Sequence, residues 1–362
     1  MSREFACRKR DEALSAFSHA GPFISCTPYG NGHINDTFLT VAGGGKRYIL
    51  QRINHVVFPR PDEVMENITA VTEHIRGRVA VAGGDVVRST LVVVPTDDKK
   101  SFYKDSIGSY WRLYEFTEGT EAFDRVENIA MFTACAEAFG RFQGWLADFD
   151  ASVLHEAIVN FHNTPVRYEN LMRAIEKDPL GRVAEVQNEI AFVKSRAEFV
   201  KTLELAREAG ELPLRVTHND TKLNNILFDA QSGEPVCVID LDTVMPGYSV
   251  NDFGDSIRFG ANTAAEDETD LSKVSLDLTL YRAYADGFLR GCDGKLTKKE
   301  VELMPIGARM MTLECGMRFL TDYIEGDTYF RISRPSHNLD RCRCQFALVA
   351  DMEKKEKEMQ LI

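Results

Sequence analysis

The sequence contains no apolar run near the roughly 18 residues that a membrane-spanning helix requires. Residues 1–5 do not begin the apolar segment of a secretory signal, so we expect no such signal. Positive charge is also scarce, because 43 basic residues face 55 acidic ones and leave a formal net charge of −12. This balance disfavours nucleic acids and membrane surfaces as partners, and it argues weakly against a polyanionic substrate.

The eight cysteines lack the spacing of a metal site. Cys342 and Cys344 are one residue too close for a Cys-x-x-Cys pair, and the others are scattered. We therefore expect reduced thiols and a cytoplasmic protein. What remains is an ordinary globular composition, 44% hydrophobic and 27% charged, over 362 residues, a length typical of about two domains.

The most informative segment is 216–228, which contains the pattern His-x-Asp-x-Lys-x-x-Asn. The protein-kinase catalytic loop has the same spacing, with Asp two residues after His and Asn five residues after that Asp. At this spacing Asp220 can orient an attacking hydroxyl and accept its proton, and Asn225 can hold a magnesium ion. Lys222 can place a positive charge against a transferring phosphate.

A second motif begins at residue 235, where an apolar run ends in Asp240 and Asp242, two acids at alternate positions. An acid at the end of a buried strand has a rigid platform from which to reach a metal ion. An Asn- and Asp-rich turn between two strands is the alternative. It is disfavoured because the two motifs together are much rarer by chance than either one alone.

Both motifs resemble those of the aminoglycoside phosphotransferase branch of the protein-kinase-like superfamily, with Asn219 in place of the usual Gly. Within that branch, segments 218–225 and 239–247 are similar to those of the N-acetylhexosamine 1-kinases. The resemblance covers most of the chain and implies an α+β, bilobal, protein-kinase-like fold. It implies a small N-terminal lobe with an antiparallel sheet, residues 1–117, and a larger, mainly helical C-terminal lobe, residues 118–362.

The resemblance also implies an activity, the ATP- and Mg²⁺-dependent phosphorylation of the anomeric C1 hydroxyl of N-acetylglucosamine or N-acetylgalactosamine. Asp220 would deprotonate this hydroxyl, and Lys222 would neutralise charge on the γ-phosphoryl oxygens. Asn225 and Asp240 would hold the metal that bridges the phosphates. Asp242 would hold or orient a second ion.

Predicted nucleotide contacts come from three segments. Residues 29–39 are expected to form a hairpin whose flexible tip covers phosphates, with a plain hairpin turn as the alternative. The candidates in this segment are Gly30, Asn31, Gly32, Asn35 and Thr37. The resemblance makes the backbone around Glu115, Phe116 and Thr117 the adenine-binding hinge.

The third segment, strand 46–54, carries Gln51 where the family has its phosphate-binding Lys, and Arg52 follows. Strand residues alternate faces, so only one of the two can meet the nucleotide without a bulge, and the sequence leaves the choice open. On the next helix, Glu63 or Glu66 is expected either to pair with this basic residue or to stay solvated.

The substrate pocket is expected around residues 309–323. Glu314, Arg318 and Asp322 form a charged line at i, i+4 and i+8 between two apolar strips, which fits a buried ion network or a pocket wall. An exposed ion-pair ladder is the alternative. The candidate substrate-binding residues are His33, Asn219, Arg309, Arg318 and Tyr323.

The tripeptide Asp252-Phe253-Gly254 matches the metal-binding motif of protein kinases, but Asp240 follows a strand and suits the metal better. By resemblance, Asp252 opens a helix and braces the catalytic loop, and His218 is a further brace. Helices are predicted at 8–20, 61–76, 128–149, 184–210 and 340–360, with Gly210 just beyond the end of the fourth.

Other functions stay open. One is a kinase for choline, homoserine or an aminoglycoside on the same fold. A pocket for choline or an aminoglycoside would need acids and aromatics to bind the positive charge of the substrate. A non-catalytic kinase-like binding protein is another, and the only feature that favours it is Gln51 at the position of the phosphate-binding Lys. The intact Asp220, Asn225 and Asp240 argue against it. A nucleotide-independent sugar-binding module would leave the metal-binding acids unexplained. The sequence does not fix the oligomeric state.

Overall fold

The computed structural model describes residues 3–30 and 34–361, with side chains from residue 9 onward. The chain forms two compact units. The first comprises Met1–Ala122, Ser152–Val159 and Asn225–Met245, and the second comprises Phe123–Ala151, Asn160–Asn224 and Pro246–Ile362. The predicted division at residue 117 stays a prediction.

In chain order the strands are β1 (Phe23–Pro28), β2 (Asp36–Ala42), β3 (Arg47–Ile53), β4 (Val93–Val94), β5 (Tyr103–Lys104), β6 (Tyr110–Glu115), β7 (Thr120–Glu121), β8 (Arg215–Thr217), β9 (Ile226–Asp229), β10 (Pro235–Val238) and β11 (Met245–Gly247). The α-helices are α1 (Arg3–Ser15), α2 (Pro61–Val81), α3 (Ile129–Trp145), α4 (Thr164–Lys177), α5 (Gln187–Lys194), α6 (Thr202–Glu208), α7 (Ser249–Gly260), α8 (Leu278–Gly291), α9 (Lys298–Glu325) and α10 (His337–Lys354). None of these described helices is long and apolar enough to cross a membrane.

An antiparallel sheet of order β1-β2-β3-β6-β4, with β5 also paired to β6, forms the centre of the first unit. Its apolar face packs on α1, and the buried cluster there comprises Ala13, Leu14, Phe17, Phe38, Ala42, Tyr48, Leu50, Val94, Trp111 and Leu113. On the opposite face, Thr37, Gln51 and Arg112 are register partners in β2, β3 and β6. The register runs without a bulge through this region, so three strands deliver polar side chains to one point.

The second unit is built from helices, and α7 crosses α9 at two glycines. A Cβ on Gly254 would lie 2.4 Å from the carbonyl oxygen of Gly307, and a Cβ on Gly307 would lie 2.3 Å from that of Val250. Neither position has room for a side chain. This close approach fixes α7, which carries Asp252, against the 28-residue helix α9.

The α+β prediction is confirmed, but the predicted helix at 184–210 is wrong because the chain breaks between α5 and α6. At the break, the Arg196 guanidinium donates to the Phe192 carbonyl at 2.7 Å and pairs with Glu353 at 2.6 Å. The break still leaves Val193 and Val200 buried in one cluster. Gly210 follows α6 with a φ of +74°, in keeping with its predicted position.

Candidate active site

Strand β8 leads into the catalytic loop, which begins at His218. The buried His218 ring lies edge-on to Phe139 and Phe142, with ring centroids 5.5 and 5.9 Å away. Its Nδ1 accepts the backbone N–H of Asp220 at 3.3 Å. These contacts support the predicted bracing role, because the ring is held inside the loop.

Asp252 braces the same loop from α7. Its carboxylate accepts the backbone N–H groups of His218 and Asn219, each at 2.8 Å, and the side-chain amide of Gln143 at 2.8 Å. Burial raises the pKa of Asp252. Both carboxylate oxygens are occupied by N–H donors, so the prediction that Asp252 is structural is confirmed.

Asn219 adopts a left-handed backbone conformation with a φ of +64°. Glycine enters this region freely, and Asn enters it more readily than most other residues. The structure thus gives a physical reason why Asn219 can stand where the family has Gly.

We expect Asn219→Ala to lower the free energy of unfolding by about 1 kcal/mol more than Asn219→Gly, because only glycine adopts positive φ without strain. Urea denaturation of both variants measures the difference. Asn170 in α4 is the control, since in a helix the order reverses and Ala is the better residue. Equal losses for the two Asn219 variants would contradict the strain argument.

Lys222 stands beside Asp220 in the loop, with Nζ 2.5 Å from the Asp220 carboxylate. Burial alone would lower the pKa of Lys222, but attraction to Asp220 and Asp255 outweighs burial and raises it. Asp255 is itself held by the Arg258 guanidinium at 3.0 Å. Lys222 therefore remains a cation next to the carboxylate that is predicted to act as base.

His162 connects helix α9 to the catalytic loop. Its Nδ1 lies 2.8 Å from Glu314, and its Nε2 lies 3.3 Å from the carbonyl oxygen of Asn219. The hydroxyl of Thr164 donates to the other Glu314 oxygen at 2.6 Å. Glu314 and Asp322 are buried, which excludes an exposed ion-pair ladder and supports the buried-network alternative.

Glu314 should make the fold sensitive to acid. Burial would raise its pKa, but His162 and Thr164 outweigh burial and lower it below the ordinary 4.5. A carboxyl with a lowered folded pKa stabilises the fold above its unfolded pKa, and this contribution is lost as the pH falls through the folded pKa. We expect the stability gap between wild type and Glu314→Gln to be larger at neutral pH than in acid.

Urea midpoints at neutral and acidic pH measure this gap. Glu302→Gln, at an exposed position of the same helix, serves as the control and should show the same small gap at both pH values. A Glu314→Gln gap that does not shrink in acid would contradict the prediction.

Asn225 and Asp240 lie at the same end of the β9–β10 hairpin. Val238 pairs with Ile226, and the N–H of Ile239 donates to the Asn225 carbonyl at 2.9 Å. Amide and carboxylate oxygens suit Mg²⁺, which usually takes one or two protein carboxylates and completes its shell with phosphates and water. The donor set therefore fits a divalent cation shared with a nucleotide. Among the described residues, no group of three or more His, Cys, Asp or Glu is placed to hold a metal ion.

Arg112 joins four of the predicted site residues into a chain of hydrogen bonds, here called the Arg112 network. Its Nη1 contacts one oxygen of Asp242, and its Nε and Nη2 donate to the side-chain oxygen of Gln51 at 3.0 and 2.8 Å. Gln51 donates to Thr37 at 3.0 Å, and Asn35 donates to the second Asp242 oxygen at 2.6 Å. Both oxygens of Asp242 are therefore engaged by protein groups, which fixes the carboxylate in its loop. Its predicted role, to hold or orient a second ion, stays a prediction.

Arg112 was not among the residues predicted from the sequence. It is only 1% exposed. Burial alone would lower its pKa, but attraction to Asp242 outweighs burial and raises it, so the guanidinium stays charged. The usable signal was a lone basic residue among the aromatic and aliphatic residues of 110–114.

The Arg112 network also bears on the choice between Gln51 and Arg52. The two residues point to opposite faces, as strand alternation predicts. Gln51 belongs to the Arg112 network, whereas Arg52 forms an ion pair with Asp36, its Nε 2.8 Å from the carboxylate. Which of them contacts nucleotide stays a prediction, and the geometry favours Gln51.

Of the two alternatives for the acids of helix α2, pairing with this basic residue is wrong. Glu63 pairs with Arg60 at 2.7 Å, and Glu66 pairs with His155 at 2.8 Å. The phase of α2 instead turns Met65 towards Arg112, with Sδ 3.8 Å from Nη1.

Other predicted nucleotide residues are less informative. Gly30 has a φ of +71°, and Asn31, Gly32 and His33 lie outside the described residues. At the predicted hinge, Glu115 pairs with Lys46 at 2.7 Å, Phe116 packs against the Arg47 guanidinium at 4.1 Å, and Thr117 accepts a hydrogen bond from Thr120. These assignments stay predictions.

The predicted substrate residues of α9 have different surroundings. Arg309 pairs with Glu353 and Glu356, and Tyr323 donates to Glu185 at 2.9 Å. Tyr323 also lines a cavity of about 500 Å³ with Arg182, Asp327 and residues 332–336, which includes no residue of the catalytic loop.

Arg318 is nearer to the catalytic loop. Its guanidinium lies 5.4 Å from the ring centres of Phe161 and Phe330 and 5.8 Å from that of Tyr329. Phe161 adjoins His162, which contacts the Asn219 carbonyl. Of the three α9 candidates, Arg318 therefore has the strongest geometric support.

Comparison with known proteins identifies the fold and the family of the chain. Among solved structures, the chain is similar to an aminoglycoside phosphotransferase from Alicyclobacillus acidocaldarius, at 13% identity over 96% of each chain with a TM-score of 0.60. It is similar to an amicoumacin kinase in complex with AMP-PNP, Ca²⁺ and Ami, at 14% identity over 98% of this chain and 94% of that one, with a TM-score of 0.58. It is also similar to a choline kinase from Cryptosporidium parvum, at 12% identity over 93% of this chain and 92% of that one, with a TM-score of 0.56.

These similarities confirm the predicted protein-kinase-like α+β fold. Residues 25–286, well over half of the chain, match the family model of phosphotransferase enzymes. The protein belongs to the phosphotransferase enzyme family.

Proposed function

We propose that this phosphotransferase is an ATP-dependent kinase that phosphorylates the C1 hydroxyl of an N-acetylhexosamine, giving the sugar 1-phosphate and ADP. The observation that carries the proposal is the Asp220–Lys222 pair on a loop braced by Asp252. A carboxylate for the acceptor and a fixed cation for the phosphoryl group are what such a transfer requires.

In the proposed reaction, the carboxylate of Asp220 takes the proton of the sugar hydroxyl as the oxygen attacks the γ-phosphorus of ATP. A new O–P bond forms, and the bond between the γ-phosphorus and the bridging β-oxygen breaks, so that ADP leaves. The Nζ of Lys222 neutralises the charge on the transferring group. Positioning and electrostatics supply most of the rate gain, because the protein forms no covalent bond.

Asn225 and Asp240 are the residues that would hold the metal. A bound Mg²⁺ supplies charge neutralisation at the phosphate oxygens. The solved structure of a similar kinase with AMP-PNP and Ca²⁺ supports a nucleotide and a divalent cation for this chain as well.

The surroundings of Arg318 support a neutral substrate. Arg167 lies close by, since its guanidinium donates to the Phe161 carbonyl at 2.8 Å and the Phe161 ring lies 5.4 Å from the Arg318 guanidinium. Burial, and then repulsion from Arg318, lower the pKa of Arg167. Two neighbouring guanidinium groups disfavour a cation such as choline or an aminoglycoside. Sugar hydroxyls and an acetamido carbonyl can instead accept their hydrogen bonds. The identity of the sugar, its preferred epimer and a cytoplasmic location stay predictions.

The test is ADP release with ATP and Mg²⁺ across N-acetylglucosamine, N-acetylgalactosamine, glucose, choline, homoserine and kanamycin. Phosphorus NMR of the product identifies the phosphorylated position. Turnover on an N-acetylhexosamine alone supports the proposal. Turnover on another acceptor keeps the kinase chemistry and rejects the sugar assignment, and nucleotide binding without any turnover favours a binding protein or an untested acceptor.

A further inference from the structure

Strand β3 carries an uncharged Gln51 at a position where the phosphate-binding Lys was expected, yet a cation is present on the same face. Arg112, its register partner in β6, is buried there and donates two hydrogen bonds to the Gln51 side chain. The positive charge therefore lies one strand away from its expected place.

We propose that Arg112 substitutes for the cation missing from β3 and acts as a positioning residue, fixing Asp242 and thereby the loop that presents Asp240 to the metal. The inference rests on the proposed function, since it concerns the nucleotide and metal of that reaction.

The loop 239–244 is fixed at three points. The N–H of Ile239 donates to the Asn225 carbonyl at 2.9 Å, and Asn67 donates to the Val244 carbonyl at 2.9 Å. Between them, Arg112 and Asn35 hold the two oxygens of Asp242. These anchors are what can keep the loop in a single conformation.

Asp240 has a φ of +59°, which a residue other than glycine adopts only when its surroundings impose it. Asp242, two residues later, has both of its carboxylate oxygens anchored. Removal of Arg112 would leave one Asp242 oxygen buried without its charged partner. Asp242 would then reorient, and Asp240 would lose the constraint that holds its strained conformation.

Tyr114 gives an independent indication that a ligand completes this face. Its hydroxyl is buried and has no hydrogen-bond partner among the described residues. The Arg112 guanidinium lies 5.1 Å from the centre of its ring. A buried hydroxyl without a partner is costly, so a bound group that accepts a hydrogen bond from it would be stabilised there.

The test is calorimetric titration with AMP-PNP, in Mg²⁺ and in EDTA, of wild type, Arg112→Gln and the double variant Gln51→Lys/Arg112→Gln. We expect Arg112→Gln to weaken Mg²⁺-dependent binding by about 10- to 100-fold, as is typical when a residue supporting a metal ligand is lost. Binding in EDTA should change little. The double variant, which returns the cation to β3, should recover most of the loss.

Arg88→Gln is the control, since Arg88 pairs with Asp229 in the same unit and has no part in the Arg112 network. It should bind as wild type does. The inference is overturned if folded Arg112→Gln binds normally, if its loss is equal with and without metal, or if the double variant is not recovered.

Should Arg112→Gln fail to fold, Arg112→Met replaces it, because it keeps a side chain of similar length but removes both the charge and the contact to Asp242. A metal-dependent loss in that variant supports the inference, and wild-type affinity overturns it. A wild-type protein that binds no nucleotide at all defeats the proposed function instead, a result that needs no variant.

Discussion

Asp220→Asn is expected to abolish nearly all phosphoryl transfer while leaving the fold and nucleotide affinity close to those of wild type. Asparagine has the same shape but cannot accept the proton of the acceptor hydroxyl, so we expect kcat to fall by about 100- to 10,000-fold. The braces from His218 and Asp252 bind backbone groups and do not depend on this carboxylate. The loop should therefore keep its conformation.

Steady-state ADP release, AMP-PNP titration and thermal unfolding together measure these effects. Asp351→Asn is the matched control, because Asp351 also pairs with a lysine, Lys355, at 2.7 Å and lies on α10. It should turn over like wild type. Near-full activity in Asp220→Asn would show that the base has been assigned wrongly.

Asp252→Ala is expected to have the largest effect on stability. It leaves the backbone N–H groups of His218 and Asn219 and the amide of Gln143 without their acceptor. Each of these groups is buried, so we expect a loss of roughly 3 kcal/mol or more in the free energy of unfolding. The catalytic loop loses its brace in the same step, so kcat of the folded fraction should fall as well.

Urea denaturation and kcat measured under folding conditions separate these two losses. Asp351→Ala is again the control, since Asp351 accepts the backbone N–H of Leu276 at 2.8 Å away from the loop. It should lose stability and keep kcat. An Asp252→Ala protein that is destabilised but fully active would mean that the brace is not needed for transfer.

The sequence was sufficient for features that depend on short spacing. The catalytic loop, the strand before Asp240 and the bracing Asp252 all lie within a few residues of a recognisable motif, and chain connectivity fixes their arrangement. Strand alternation likewise separated Gln51 from Arg52 correctly. The position of Gly210 followed from its tolerance of positive φ.

Features that depend on tertiary packing could not be predicted. The partnership of Arg112 with Gln51 requires the register of β3 against β6, which the sequence does not specify over a separation of 61 residues. The break between α5 and α6 lies where Arg196 pairs with Glu353 of α10, a contact between residues 157 positions apart that short-range periodicity does not reveal. Whether Glu63 or Glu66 meets the basic residue of β3 was left open, because the rotation of α2 about its axis is set by packing, and both acids have other partners.

The Arg112 network has a consequence for chemical probes. Acylating nucleotide analogues react with the amine of a lysine. In place of an amine, the network residues Thr37, Gln51 and Arg112 offer a hydroxyl, an amide and a guanidinium. A reagent of this type should therefore leave strand β3 unlabelled in wild type and should acylate the new lysine amine in Gln51→Lys. Amine labelling thus distinguishes a cation carried by β3 from one carried by β6.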